Sequence, residues 1–103
     1  MAFKVPKITT PQEVAARLNS GEKLYILDVR EPEEWTDGHV AGAIHIPLGL
    51  LSERMPELDP SQELIVICRS GNRSGLACEL LSEKGFNVVN MAGGLNNWTD
   101  KLV

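Results

Sequence analysis

Short apolar runs separated by helix-forming stretches are the feature that most restricts the fold of this chain. The runs are 23–29 (KLYILDV), 42–47 (GAIHIP), 63–68 (ELIVIC) and 86–91 (FNVVNM). Each has the length of a β-strand, and the first is too continuous for a strand with one face in water. The sequence therefore predicts four strands, of which the more apolar ones are buried on both faces.

Helical patterns alternate with these strands. They are 9–21, 31–39, 48–58 and 72–85, followed by a turn and a short helix at 93–102. In the first, Thr10 is a candidate N-cap, Pro11 suits the first helical position, and Glu13 is expected to complete a capping box. Alternation of strands and helices predicts an α/β fold, with layers of helices around a parallel sheet.

The helix predicted at 72–85 carries several apolar residues. Leu76, Ala77, Leu80 and Leu81 are expected to form one buried stripe, and Gly85 is placed to end the helix. In open α/β sheets, ligands bind beyond the carboxyl ends of the strands. The sequence CRSGNRS, at 68–74, lies at that end of the predicted strand 63–68 and directly before this helix.

Composition limits the possible functions. The chain has 103 residues, 43% of them hydrophobic, and a net charge of −4, which fits one domain spanning 1–103 with no basic surface for nucleic acid. No apolar run is long enough to span a membrane, and no secretion signal is evident. Two cysteines without CxxC spacing favour reduced thiols, a cytoplasmic location and no metal site. The oligomeric state stays open.

Cys68 is the candidate nucleophile. A reactive thiol must be ionised, and three features of the loop favour the thiolate: the start of a helix, a tight turn through Gly71 that can gather backbone amides, and the charges of Arg69 and Arg73. The alternative is that Cys68 is a small apolar residue filling the core. The combination of cysteine, glycine, arginine and serine between strand and helix favours an anion-binding site.

The loop CRSGNRS resembles the active-site loop of rhodanese-like sulfurtransferases. Residues 24–47 (LYILDVREPEEWTDGHVAGAIHIP) resemble the first hallmark of that family, and residues 90–98 (NMAGGLNNW) its terminal segment. The resemblance covers nearly the whole chain. It implies a rhodanese-like three-layer fold, with a small, mainly parallel, five-stranded sheet and helices on both faces.

The resemblance also implies a mechanism. Cys68 would attack a small anionic sulfur donor such as thiosulfate, and the resulting persulfide would pass its outer sulfur to a thiol, cyanide or protein-thiol acceptor. No organic cofactor or metal is implied. The remaining loop residues are the expected binding residues for the donor and for the transferred sulfur: Arg69, Ser70, Gly71, Asn72, Arg73 and Ser74.

Two other functions remain as alternatives. Cysteine phosphatases and arsenate reductases have similar loops, but five residues separate their cysteine and arginine, whereas four separate Cys68 from Arg73. The shorter loop goes with sulfur transfer in this superfamily. A non-catalytic interaction module is the second alternative, which the presence of Cys68 weakens.

Four polar residues are expected to support the site. Asp28 ends a strand and is either an acceptor for loop amides or an arginine, or a turn residue. Arg30, Glu34 and His39 are expected to form an ion-pair network that fixes the segment 31–39 near the site, with direct substrate contact as the alternative. Cys78, some two helical turns beyond the loop, is expected to be a buried spectator that forms no disulfide with Cys68.

Overall fold

A computed structural model describes residues 7–103. Five strands form one sheet: β1 (Lys7–Thr9), β2 (Ile26–Asp28), β3 (Ile44–His45), β4 (Leu64–Ile67) and β5 (Val88–Met91). Four α-helices accompany them: α1 (Pro11–Asn19), α2 (Pro32–Thr36), α3 (Leu51–Arg54) and α4 (Asn72–Glu83). Short 3₁₀ turns lie at Leu48–Leu50, Met55–Glu57 and Gly94–Asn97.

The sheet is parallel throughout, in the order β1-β5-β4-β2-β3. The predicted α/β fold and parallel sheet are confirmed, and four strands lie within the predicted runs. No strand was predicted at Lys7–Thr9, since only Thr9 of its three residues is buried and the segment lacks an apolar run. β4 lies at the centre of the sheet, so the Cys68 loop follows the strand with two neighbours on each side.

Alternation along the central strands divides the core between the two faces of the sheet. Leu64 and Val66 of β4 pack on one side together with Cys68, and Ile65 and Ile67 pack on the other. Buried residues of α3 and α4 complete the first cluster, and α1 contributes to the second. This arrangement matches the expected helices on both faces. It also directs Cys68 toward the face that α4 covers.

The apolar stripe expected on α4 is wrong in two positions. Leu76 and Leu80 are 54% and 39% exposed. The buried residues of this helix follow a spacing of three or four: Ser74, Ala77, Cys78 and Leu81. Compared with the predicted orientation, the helix is rotated about its axis so that the small residues Ser74, Ala77 and Cys78 face the sheet. Small side chains fit here because β4 and β5 lie close to α4.

The predicted ends of the helices are mostly correct. Thr10 is the N-cap of α1, and its Oγ1 accepts a hydrogen bond of 3.2 Å from the Glu13 amide. The expected capping box is wrong, because the Glu13 carboxylate accepts from the Thr9 hydroxyl at 3.1 Å. Gly21 and Gly85 follow the ends of α1 and α4 with φ of +90° and +87°. The short C-terminal helix is replaced by the 3₁₀ turn.

A buried ion pair joins the end of β2 to α2. The Arg30 guanidinium donates to the Asp28 carboxylate, with Nη2 to Oδ2 at 2.8 Å, and the two side chains are 6% and 0% exposed. The same guanidinium donates to the carbonyl oxygens of Glu34 and Gly38. Arg30 thus fixes the middle of α2 and the turn that follows it relative to the sheet.

The 3₁₀ turn at Gly94–Asn97 packs directly against the loop that follows β4. The Leu95 amide donates to the Cys68 carbonyl and the Asn96 amide to the Arg69 carbonyl, each at 2.9 Å. Gly94 has φ of +61°, and a Cβ there would lie 2.6 Å from the Cys68 carbonyl oxygen and closer still to that of Arg69. Only glycine permits this approach.

Replacing Arg30 by methionine should lower the free energy of unfolding by about 3–5 kcal/mol, because the Asp28 carboxylate would stay buried without its cation. Urea unfolding measures the change. Arg54→Met is the matched control: Arg54 pairs with Glu57 at the surface, and its loss is expected to change stability by less than about 1 kcal/mol. Equal effects of the two variants would contradict the role given to Arg30.

Gly94→Ala should destabilise the fold by about 2–4 kcal/mol, from positive-φ strain and from the clash with the loop carbonyls. Gly85→Ala provides the comparison, because Gly85 also has a positive φ but no atom lies within 4 Å of its added Cβ. That variant should lose only about 1–2 kcal/mol. If the two denaturation midpoints shift equally, the close approach of Gly94 has no energetic importance.

Candidate functional site

Cys68 lies directly after β4, at the carboxyl end of the central strand. Its Sγ accepts a hydrogen bond of 3.0 Å from the Gly71 amide and lies 3.3 Å from the Ser74 hydroxyl oxygen. The backbone amides of Ser70 and Ser74 also favour the charged form of the sulfur and lower its pKa. The loop therefore places several donors around one sulfur atom, at the start of a helix whose first amides are unpaired.

Gly71 makes this arrangement possible. It is the N-cap of α4 with φ of +100°, in the left-handed region, and a Cβ at this position would lie 3.1 Å from the Gly93 amide nitrogen. The turn reverses the chain within three residues of Cys68 and brings the Gly71 amide back onto the sulfur. Asn72, at the first position of α4, is exposed.

The environment of Cys68 has opposing effects on its acidity. Burial raises the pKa of the Cys68 thiol, whereas the hydrogen bonds that its thiolate accepts, from the Ser74 hydroxyl and from the amides of Ser74, Gly71 and Ser70, lower it. The hydrogen bonds outweigh the burial, so the pKa lies below the ordinary value for a cysteine. A lowered pKa increases the thiolate fraction at neutral pH.

Cys78 has the opposite character. It is 1% exposed. Burial is the larger of two causes that raise its pKa to about 12, and the nearby Cys68 is the smaller. Both cysteines are free. Cys78 therefore stays protonated at neutral pH, as expected for a spectator.

Glu34 holds both arginines of the loop. Arg73 donates from Nη1 and Nη2 to its two carboxylate oxygens at 2.6 and 2.8 Å, and Arg69 Nε donates at 2.9 Å. The Arg73 hydrogen bonds, opposed by burial and assisted by the Glu31 amide and Arg69, hold the pKa of Glu34 well below its usual range. The two positive charges are thus already paired with an internal carboxylate.

The other expected supporting residues lie behind this contact. Asp28 accepts from Arg30 and, among residues 7–103, from no amide of the Cys68 loop. Arg30 reaches the site only through the main chain of Glu34. His39 hydrogen-bonds through Nδ1 to the Trp35 carbonyl and stacks on the Trp35 ring at 3.6 Å. Of the four residues, Glu34 alone contacts the loop through its side chain.

Two contributions to the site were not predicted from the sequence. Asn90 of β5 binds Ser74 and the Gly71 carbonyl, and the 3₁₀ turn at Gly94–Asn97 holds the carbonyls of Cys68 and Arg69. A polar residue within the apolar run 86–91 was the available signal for Asn90.

Residues 7–103 contain no cluster of three or more histidine, cysteine or acidic side chains that could hold a metal ion. Among the same residues, no helix is long and apolar enough to cross a bilayer.

Sequence comparison relates the chain to named sulfurtransferases. Putative sulfurtransferase YtwF of Bacillus subtilis is 44% identical over 82 residues, which are 80% of each protein. Thiosulfate sulfurtransferase PspE of Escherichia coli is 44% identical over 73 residues, covering 69% of this chain and 70% of PspE. Putative sulfur carrier protein YrkF of Bacillus subtilis is 40% identical over 101 residues; that match covers 97% of this chain but 54% of YrkF, so the chain spans about half of that relative.

The fold agrees with these relationships. A rhodanese-like domain protein from Staphylococcus aureus superposes with a TM-score of 0.89 at 28% identity, covering 94% of this chain and 96% of that one. The model of the rhodanese-like domain family matches residues 10–101. With its parallel sheet and its cysteine loop at the end of the central strand, the chain belongs to the rhodanese-like domain family.

Proposed function

We propose that this protein is a sulfurtransferase that carries a sulfane sulfur as a persulfide on Cys68. Relatives named sulfurtransferases support a transferase role for the chain. The observation that carries the finer proposal is the position of Cys68 Sγ, 3.0 Å from the Gly71 amide at the start of α4. A sulfur so placed is stabilised as an anion without a separate general base.

The first step transfers sulfur to the protein. The Cys68 thiolate attacks the outer sulfur of thiosulfate or of another persulfide donor, and a new S–S bond forms. The S–S bond of the donor breaks, and its electron pair leaves with sulfite when the donor is thiosulfate. The inward amides of the loop then stabilise the negative charge on the terminal sulfur of the persulfide.

The second step returns the cysteine to its starting state. A nucleophilic acceptor (a thiol, cyanide or a protein thiol) attacks the terminal sulfur, and the bond to Cys68 Sγ breaks with the electron pair returning to the cysteine. The two half-reactions use the same site in turn, which is double displacement through a covalent intermediate.

Binding of an anionic donor involves the arginines that Glu34 now holds. Arg69 is exposed and Arg73 is partly exposed, so both can turn toward a donor at the loop. Cys68 has no exposed surface in this conformation, so the donor reaches the sulfur only when side chains of the loop move. We propose that the donor replaces Glu34 as the partner of Arg73, with Ser70 and Asn72 at the rim.

The loop spacing remains an argument against phosphate chemistry. Four residues separate Cys68 from Arg73, one fewer than in the loops of cysteine phosphatases. Sulfur transfer therefore fits the loop better than transfer of a tetrahedral phosphoryl group.

Cys68→Ser should abolish sulfur loading, because serine keeps the shape of the side chain but its hydroxyl is not ionised at neutral pH. After incubation with thiosulfate, intact-protein mass spectrometry should show a gain of one sulfur atom in the native protein and none in the variant. Turnover to cyanide should fall at least about 1000-fold. Cys78→Ala is the matched control and should keep both the mass gain and turnover; loading of Cys68→Ser would refute the proposal.

Glu34→Gln should lower the melting temperature most at neutral pH. The pKa of Glu34 is lowered in the folded protein, so its charge stabilises the fold above the unfolded value of about 4.3, and this contribution disappears as the pH falls. The difference from the native protein should therefore shrink between pH 7 and pH 3, as followed by circular dichroism. Glu57→Gln, at an exposed pair, should have little effect at either pH, and a pH-independent loss in Glu34→Gln would contradict the ion-pair account.

A further inference from the structure

The Ser74 hydroxyl stands between Cys68 and Asn90. It is completely buried, and its Oγ lies 3.3 Å from Cys68 Sγ, 2.5 Å from Asn90 Oδ1 and 3.1 Å from the Gly71 carbonyl oxygen. A hydroxyl has one hydrogen to donate and two lone pairs to accept with. All three neighbours can accept, so they compete for one hydrogen.

The orientation of the Asn90 amide decides this competition. Its Nδ2 donates to the Gly71 carbonyl at 3.3 Å, and its Oδ1 faces Ser74. The reversed amide would set Oδ1 against the Gly71 oxygen, so that two acceptors faced each other and the Gly71 bond was lost. The Gly71 carbonyl therefore keeps Oδ1 directed at the Ser74 hydroxyl.

This orientation directs the hydrogen of Ser74 away from the sulfur. The shorter contact goes to Asn90 Oδ1, so Ser74 donates there and offers a lone pair to the hydrogen of the Cys68 thiol. That pattern favours the neutral thiol. A thiolate benefits from Ser74 only after the hydroxyl has turned from Asn90 to Sγ, and the bond to Asn90 opposes that turn.

We propose that Asn90 is a positioning residue that limits the acidity of Cys68 by holding the hydrogen of Ser74. The amides of the loop favour the thiolate, and Asn90 works against them through one hydroxyl. The loop amides and Asn90 together set the fraction of Cys68 that is ionised in the donor-free protein. The importance of this control for turnover rests on the proposed role of Cys68, but the effect itself is a property of the thiol.

The charged groups and the second thiol that act on Cys68 have other partners than Asn90. Arg73, whose charge interacts with Cys68, is held by Glu34, and Cys78 faces Cys68 from one helical turn beyond Ser74. Arg69 also pairs with Glu34. The side-chain hydrogen bonds of Asn90 go to Ser74 and Gly71. If the effect of an Asn90 substitution on the acidity of Cys68 disappears when the Ser74 hydroxyl is removed, that hydroxyl transmits the effect.

The test measures the pKa of Cys68 from the pH dependence of its alkylation by iodoacetamide, in a Cys78→Ala background that leaves one thiol. Asn90→Ala should lower the pKa by about half a unit to one unit, which raises the thiolate fraction below the pKa by about three- to tenfold. In a Ser74→Ala background, Asn90→Ala should leave the pKa unchanged. Neither measurement depends on sulfur transfer, so failure of the proposed function would not affect them.

Two results would overturn the proposal. One is an unchanged or raised pKa in Asn90→Ala and in the near-isosteric Asn90→Leu. The other is an equal fall of the pKa with and without the Ser74 hydroxyl, which would assign the effect to the Gly71 contact. Nuclear magnetic resonance supplies a check without any substitution at this network. In a pH titration, the side-chain amide signal of Asn90 should shift with the same midpoint as Cys68 alkylation. The signal of Asn19, which is bonded to Asp100 at the surface, should not shift with that midpoint. A constant Asn90 signal through that midpoint contradicts the proposal.

Discussion

Two backbone hydrogen bonds from the 3₁₀ turn at Gly94–Asn97 satisfy carbonyls of the Cys68 loop, which leaves the loop amides available to face the sulfur. The carbonyls of Cys68 and Arg69 accept from the Leu95 and Asn96 amides, so they are satisfied on the side away from the sulfur. With its carbonyls directed outward, the loop can turn its amides inward onto one atom. A buried carbonyl without a partner costs free energy, and the 3₁₀ turn at Gly94–Asn97 removes that cost. The geometry of the loop around Cys68 therefore depends on a segment near the C-terminus of the chain.

In the proposed function, the arginines of the loop change partners when the donor binds. The chain carries a net charge of −4, so the proposed anionic donor would gain nothing from long-range attraction, and the local arginines would supply its binding. Glu34 occupies them in the donor-free structure, which keeps the two cations from lying unpaired beside each other. Arg30 and Asp28 stabilise α2 from behind and so fix the main chain that carries Glu34. The buried ion pair of Arg30 and Asp28 thereby holds in place the ion pair of Glu34 and Arg73.

The acidity of Cys68 results from a balance among neighbours of different kinds. Backbone amides are fixed donors and always favour the thiolate. The Ser74 hydroxyl can serve either protonation state, and its second partner, Asn90, decides which one. Such a network lets one polar residue on a neighbouring strand adjust a thiol that it does not touch. It also explains why a polar side chain interrupts the otherwise apolar strand β5.

By itself the sequence determined the parallel α/β fold, four of the five strands and the position of the cysteine loop. These features depend on apolar periodicity, caps and glycines, which act over a few neighbouring residues. It missed β1, whose three residues carry no pattern, and it misassigned Leu76 and Leu80, since helical spacing alone does not say which face meets the sheet. Only the tertiary structure decided that Glu34 meets Arg73, 39 residues away, and that Asn90 meets Ser74. Contacts of that kind depend on strand order and helix rotation, which are set by packing across the whole core.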